Sequence, residues 1–201
     1  MVAIALGAAP NETEVSGLTA GFGENLITNE AALAVAALAV ESLVDATDSR
    51  SYDAIIIAAF GDPGLTALQH RGVPAVGIAQ AGMLEAGADE RPFVVVTTTP
   101  DLVRTIAAAA TRYGIDRAYR GTRITPGDPA LVMGDPDQLT DALAEASQIA
   151  IEYDGAEAIL VGGGPLAIAA CALVGRGFPV PIIQPIPAAV RRALRLIASA
   201  N

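Results

Sequence analysis

Three short stretches of this 201-residue chain place chemically useful groups where a strand would turn into a helix. Asp62 follows Phe60-Gly61 and precedes Pro63. A carboxylate there either caps the next helix or, with a raised pKa, takes a proton. A helix N-terminus would hold the pKa down instead. Thr97, Thr98 and Thr99 follow an apolar run and precede Pro100. Their hydroxyls and N–H groups can hold an anion or cap a helix, and the two roles are compatible. Gly162-Gly163-Gly164 either cradles an oxyanion with backbone N–H groups or simply allows tight packing. His70 is the only histidine. Beside Arg71-Gly72 it reads as a helix C-terminal residue, with catalysis as the other possibility. Cys171 is the only thiol and lies in an Ala-rich stretch, where a buried small side chain is expected. One cysteine excludes an intrachain disulfide and a cysteine-based zinc cluster, and no metal site is expected.

The elements that must position these groups repeat. Asp53-Ala-Ile-Ile-Ile-Ala-Ala-Phe-Gly-Asp-Pro-Gly64 and Glu157-Ala-Ile-Leu-Val-Gly-Gly-Gly-Pro-Leu166 share one plan. Each is an acid and Ala, a short apolar run, then a small-residue turn holding Gly and Pro. Each is followed by an Ala/Leu-rich stretch and a second apolar run. Two related half-domains and one site lined by matching loops are expected, with Ala59 and Gly163 at the loop tips. Unbroken apolar runs at Tyr52 to Ala58, Val73 to Ile78, Phe93 to Thr97, Ala158 to Val161 and Val180 to Ile183 read as parallel strands buried on both faces. Val15 to Thr19 and Tyr119 to Ile124 are further strand candidates. Helices are expected over Glu30 to Thr47, capped by Thr28 or Asn29, and over Asp101 to Tyr113, Pro136 to Tyr153, Leu166 to Val174 and Ala188 to Ala200. Asp62-Pro63 reads as the start of another, ending near His70. Met1 to Ala9 fits either a helix or a strand. Strands alternating with helices give parallel β and α layers.

Composition narrows the partners. Just over half the residues are apolar, but aromatics are few and Trp is absent, so the interior is aliphatic. The net charge of −10 repels phosphate backbones and argues against nucleic-acid binding. No run reaches the roughly 18–20 apolar residues that span a bilayer, so no membrane partner is expected. No basic region precedes an apolar one at the N-terminus, and a cytoplasmic setting is the simplest expectation. Arg191, Arg192 and Arg195 read as a solvated stripe on the last helix. Self-association into a homo-oligomer is expected.

The block Tyr52-Asp-Ala-Ile-Ile-Ile-Ala-Ala-Phe-Gly-Asp-Pro-Gly-Leu65 resembles the first active-site segment of the aspartate/glutamate/hydantoin racemase superfamily, nearest the hydantoin and allantoin racemase branch. Asp154 to Gly163, running on through Pro185, resembles the second segment, and Pro74 to Ala81 and Val94 to Thr99 match in type and order. The similarity covers roughly residues 15 to 195. It implies an α/β fold of two pseudo-symmetric, flavodoxin-like parallel-sheet lobes with a ligand cleft between them. Lobe one would be about 1–92 plus 184–201, and lobe two about 93–183. It implies a cofactor-independent isomerase in which two cysteines on opposite sides of the cleft exchange a proton at a stereocentre. Two groups are needed because a single base returns the proton mainly to the face it came from. The ligand would be a small carboxylate or a hydantoin-like molecule. Phe60, Gly61, Thr97, Thr98, Gly162 and Gly164 would contact it.

The chain departs from the family pattern at the reacting positions. Ala59 and Gly163 stand where the resemblance places the two cysteines, and neither side chain exchanges a proton. Gln184 stands where an acid is usual before the last proline. Two readings follow. One is an enzyme acting on a carbon acid through other groups, Asp62 or a bound water. The other is a disarmed relative that keeps the pocket as a small-ligand or partner surface.

Overall fold

The computed structural model describes residues 1–200. Asn201, the end of the expected return to lobe one, lies outside the described residues. Among the described residues, six strands and nine α-helices form two parallel sheets with helical layers. The first sheet pairs β1 (Ile55–Ile57) with β2 (Ala75–Gly77), Ile55 opposite Ala75. The second has four strands in the order β4 (Tyr119–Ile124), β3 (Phe93–Thr97), β5 (Ala158–Val161), β6 (Ile182–Ile183). All its pairings are parallel.

The apolar runs make buried strands because alternate residues enter two different cores. Phe93, Val95, Ala158 and Leu160 face one cluster. It includes Met83 of α4 (Ile78–Ala86), Ile106 and Ala110 of α5 (Val103–Arg112) and Ala189 of α9 (Pro185–Ala200). Val94, Val96, Ile159 and Val161 face the other, with Leu143 and Ala146 of α7 (Pro136–Tyr153) and Leu173 of α8 (Ala167–Val174). A period of two with both faces covered explains why these runs show no polar alternation. Each fully buried Val or Leu contributes about 1.5–3 kcal/mol.

Local signals set the helix starts. Asn29 Oδ1 accepts from Ala32 N at 2.9 Å to begin α2 (Glu30–Ala46). Asp135 Oδ1 accepts from the N–H groups of Asp137 and Gln138, and Pro136 takes the first helical position of α7. α1 (Val2–Ala8) resolves the open assignment at the start of the chain in favour of a helix. α3 (Leu65–His70) follows the first repeat turn, and a short helix, α6 (Pro129–Val132), precedes α7. α9 packs back across the chain against α4, α1, β2 and β1.

The strand expected at Val15 to Thr19 is irregular chain. A strand needs a neighbour, and β1 pairs only with β2. The strand after the first repeat turn is also short. β2 ends at Gly77 because Asp62 accepts from the N–H groups of Ala79 and Gln80, in the first turn of α4, which starts at Ile78. No described helix is long and apolar enough to cross a membrane.

Candidate ligand cavity

The loops that follow β1, β3 and β5 all lie at the carboxyl ends of their strands, where parallel sheets present ligand sites. Together they line a cavity of about 190 Å³. The first loop contributes Ala58, Ala59, Phe60 and Gly61, the second Thr97, Thr98 and Thr99, and the third Gly162 to Leu166. The twin repeat turns therefore converge on one hollow. They also touch: a Cβ on Gly164 would lie 2.7 Å from the carbonyl oxygen of Ala58. Only glycine permits that approach.

Thr97 sews the sheet ends together. Its hydroxyl, 1% exposed, donates to the Gly162 carbonyl at 2.6 Å. That uses its one proton, so in the 3.2 Å contact with Thr99 the Thr99 hydroxyl donates. Thr98 is equally buried, and its hydroxyl points at the Met133 thioether at 3.4 Å. Sulfur is a weak acceptor, so this proton is readily redirected to a ligand oxygen. Ala59, Phe60, Gly61, Gly163 and Gly164 donate no backbone N–H bond to any described residue. The wall thus combines unspent N–H groups from two loops with a hydroxyl that can turn.

Two of the glycines are set by crowding. A Cβ on Gly162 would lie 2.6 Å from Val95 Cγ1 and 3.3 Å from the Phe60 ring. A Cβ on Gly163 would lie 2.7 Å from Leu166 Cγ, a side chain only 2% exposed. Any larger residue at 163 must displace Leu166 within the packed core.

Asp62 does something other than what its position in the sequence suggests. The residue before α3 is Gly64, in a left-handed conformation, so Asp62 does not cap that helix. Its own φ of 53° turns the side chain toward α4. One carboxylate oxygen accepts from Ala79 N at 2.8 Å. The other accepts from Gln80 N and from the Tyr113 hydroxyl, each at 2.6 Å. Gly77 makes room for this cap, since a Cβ there would lie 2.1 Å from Asp62 Cγ. The expected depression of its pKa is reversed. Burial pushes the carboxyl up to about 6, against the three hydrogen bonds and the Arg112 charge, because desolvation outweighs them. Asp62 is not on the cavity wall.

The other single candidates also lie off the wall. His70 ends α3 and is exposed. Cys171 is exposed rather than buried, and its thiol donates to Gln184 Oε1 at 3.0 Å. Among the described residues no cluster of His, Cys, Asp and Glu suits a metal ion. Sequence reading missed Glu24, Asn25 and Met133, which line the cavity together with Met1 and apolar residues of α2 and α5 and the chain before them. Glu24 and Asn25 sit in irregular chain before α2, and no local pattern ties that segment to turns far along the chain.

The model of the Asp/Glu/Hydantoin racemase family matches residues 1–193. The chain belongs to that family. It is 33% identical to the hydantoin racemase of Rhizobium meliloti over 154 residues, 76% of this chain and 63% of that protein. It therefore spans less than two thirds of that relative. Its fold follows that of the allantoin racemase of Pseudomonas fluorescens with a TM-score of 0.91 at 29% identity, covering 99% of this chain and 84% of that one. The allantoin racemase of Klebsiella pneumoniae gives 0.88 at 30% identity, covering 99% and 81%. Within the family, then, the first repeat turn ends in Ala59-Phe60-Gly61 and the second in Gly162-Gly163-Gly164.

Proposed function

We propose that the cavity binds a small hydantoin- or allantoin-like carbon acid and that the chain acts at its stereocentre by proton exchange. The observation behind this reading is the convergence of two loops with unspent N–H groups on one hollow. Removing the proton beside a carbonyl moves charge onto the carbonyl oxygen. Fixed N–H donors facing that oxygen stabilise the charge as it develops. The N–H groups of Phe60 and Gly61 on one side, and of Gly163 and Gly164 on the other, would receive the ring's oxygens, with the Thr98 hydroxyl turning from Met133 to a third. A five-membered imide ring suits a hollow of about 190 Å³.

Proton carriers are few. Among the described residues Glu24 brings the one carboxylate side chain to the lining, and water from the mouth is the other source. Asp62 would take part only by leaving Ala79, Gln80 and Tyr113. The test is calorimetric titration with allantoin and 5-substituted hydantoins, together with loss of deuterium from the stereocentre. Binding with exchange above the buffer rate supports the proposal. Binding of none of these compounds overturns it.

A second reading has its own support. Among the described residues that line the cavity none carries a thiol or an imidazole, and Ala59 and Gly163 take the positions the family resemblance gives to cysteines. On this reading the chain binds the same ligand without turning it over. Saturable binding without deuterium loss would select it. Gain of racemisation on joint Ala59→Cys and Gly163→Cys substitution would mark the missing thiols as the cause.

A further inference from the structure

A second hollow, of about 230 Å³, lies on the far side of β2, between α3, the start of α4 and the last turns of α9. Its floor is Ala75 and Val76. Gln80, Arg192 and Arg195 reach into it. The expected solvated stripe on α9 thus divides. Arg191 forms a two-pronged ion pair with Glu85, with contacts of 2.9 and 2.6 Å. Arg192 and Arg195, one turn apart, line the hollow with no carboxylate partner among the described residues.

Carboxylates are abundant in this chain, with 22 acidic residues against 12 Lys and Arg, yet among the described residues that line this hollow none is acidic. Arg192 is half-buried and donates only to the neutral Gln80 carboxamide at 3.3 Å, from Nε. Among the described residues its two terminal nitrogens have no partner, and neither does the Arg195 guanidinium. Burial and then the Arg195 charge both act against the charged form of Arg192. Two guanidinium groups sharing a concave, partly dry site repel each other, and a bound anion removes that cost. The planar forks match a carboxylate or a phosphate with paired N–H donors.

We propose that Arg192 and Arg195, with the Gln80 carboxamide, form a binding site for a small doubly charged oxyanion, separate from the cavity between the repeat loops. Phosphate groups and dicarboxylates share the required chemistry. The hollow's size and concavity favour a small ion over a protein surface. Its link to the rest of the molecule is Gln80, whose backbone N–H donates to Asp62 while its side chain accepts from Arg192.

The test is calorimetric and thermal titration of the full chain with inorganic phosphate and, separately, with malonate, against chloride at matched ionic strength. The expected result is one site per chain with a dissociation constant of about 1 mM or below for at least one of the two. Arg195→Gln, an exposed substitution that leaves the fold intact, should weaken it about tenfold or more. Arg191→Gln, which touches only the Glu85 pair, should leave it unchanged. Response to phosphate alone assigns a phosphoryl ligand, and response to malonate alone a dicarboxylate. The proposal is overturned if neither anion stabilises the protein beyond chloride, or if Arg195→Gln binds as tightly as the natural chain. It is equally overturned if Arg195→Gln changes only the oligomeric state, which would assign the pair to the acidic surface of another copy.

Discussion

The Tyr113 hydroxyl, at the end of α5, donates to Oδ2 of Asp62 at 2.6 Å. One short bond thereby ties the loop that carries Ala59 and Phe60 to a helix of the opposite sheet. With Ala79 and Gln80 it holds a buried carboxylate away from the cavity its loop helps to line. The same bond fixes the Tyr113 proton, since burial and the Asp62 charge raise its pKa.

Stability should carry the signature of this carboxylate. Its folded pKa is about 6 against an ordinary 3.8, so between these values the folded state holds more protons than the unfolded one. Its contribution is therefore greatest below about pH 4 and is lost as pH rises through 6. The full span is on the order of 3 kcal/mol. Urea unfolding at steps between pH 4 and 7.5, natural chain against Asp62→Asn, should show a difference that varies over this window and is flat above it. A pH-independent difference would remove the assignment.

Tyr113→Phe should cost about 1.5–3 kcal/mol above pH 6, where the carboxylate is charged, and less near pH 4. The Asp62 pKa should rise further, because the hydroxyl that lowers it is gone. Carbon-13 NMR titration of the Asp62 carboxyl reads both effects.

Gly77 has an ordinary extended backbone, with φ of −94°, so Gly77→Ala tests crowding rather than strain. A methyl 2.1 Å from Asp62 Cγ must expel the cap. A loss of about 3 kcal/mol or more is expected, from a buried bond network broken in the core. Pairing it with Asp62→Gly, which suits the left-handed backbone at 62, should recover much of that loss. Strict additivity in the double variant would mean that the two residues do not collide.

Restoring thiols should be unequal in cost. Ala59→Cys extends into open cavity and should change stability by less than about 0.5 kcal/mol. Gly163→Cys must move Leu166 and should cost about 1–3 kcal/mol. Thermal melts of the two single variants give the comparison, and equal costs would show that Leu166 yields freely.

Thr97→Val keeps the shape but leaves the Gly162 carbonyl without its donor. A loss of about 1–3 kcal/mol is expected. Ligand affinity should fall with it, because the third loop then loses its anchor to β3.

The central strands of the second sheet, β3 and β5, were legible from sequence because burial on both faces forces an unbroken apolar run. α7 was legible from Asp135-Pro136, whose cap is local. The twin repeat turns named both cavity loops in advance. These features are encoded within a few residues of chain, so sequence alone determined them. What Asp62 bonds was not encoded there. Its partners lie 17, 18 and 51 residues away, and only folding brings them within reach. The same holds for Arg192 and Arg195: the stripe on α9 was visible, but tertiary packing alone decided which arginine meets Glu85 and which two share a hollow without a carboxylate.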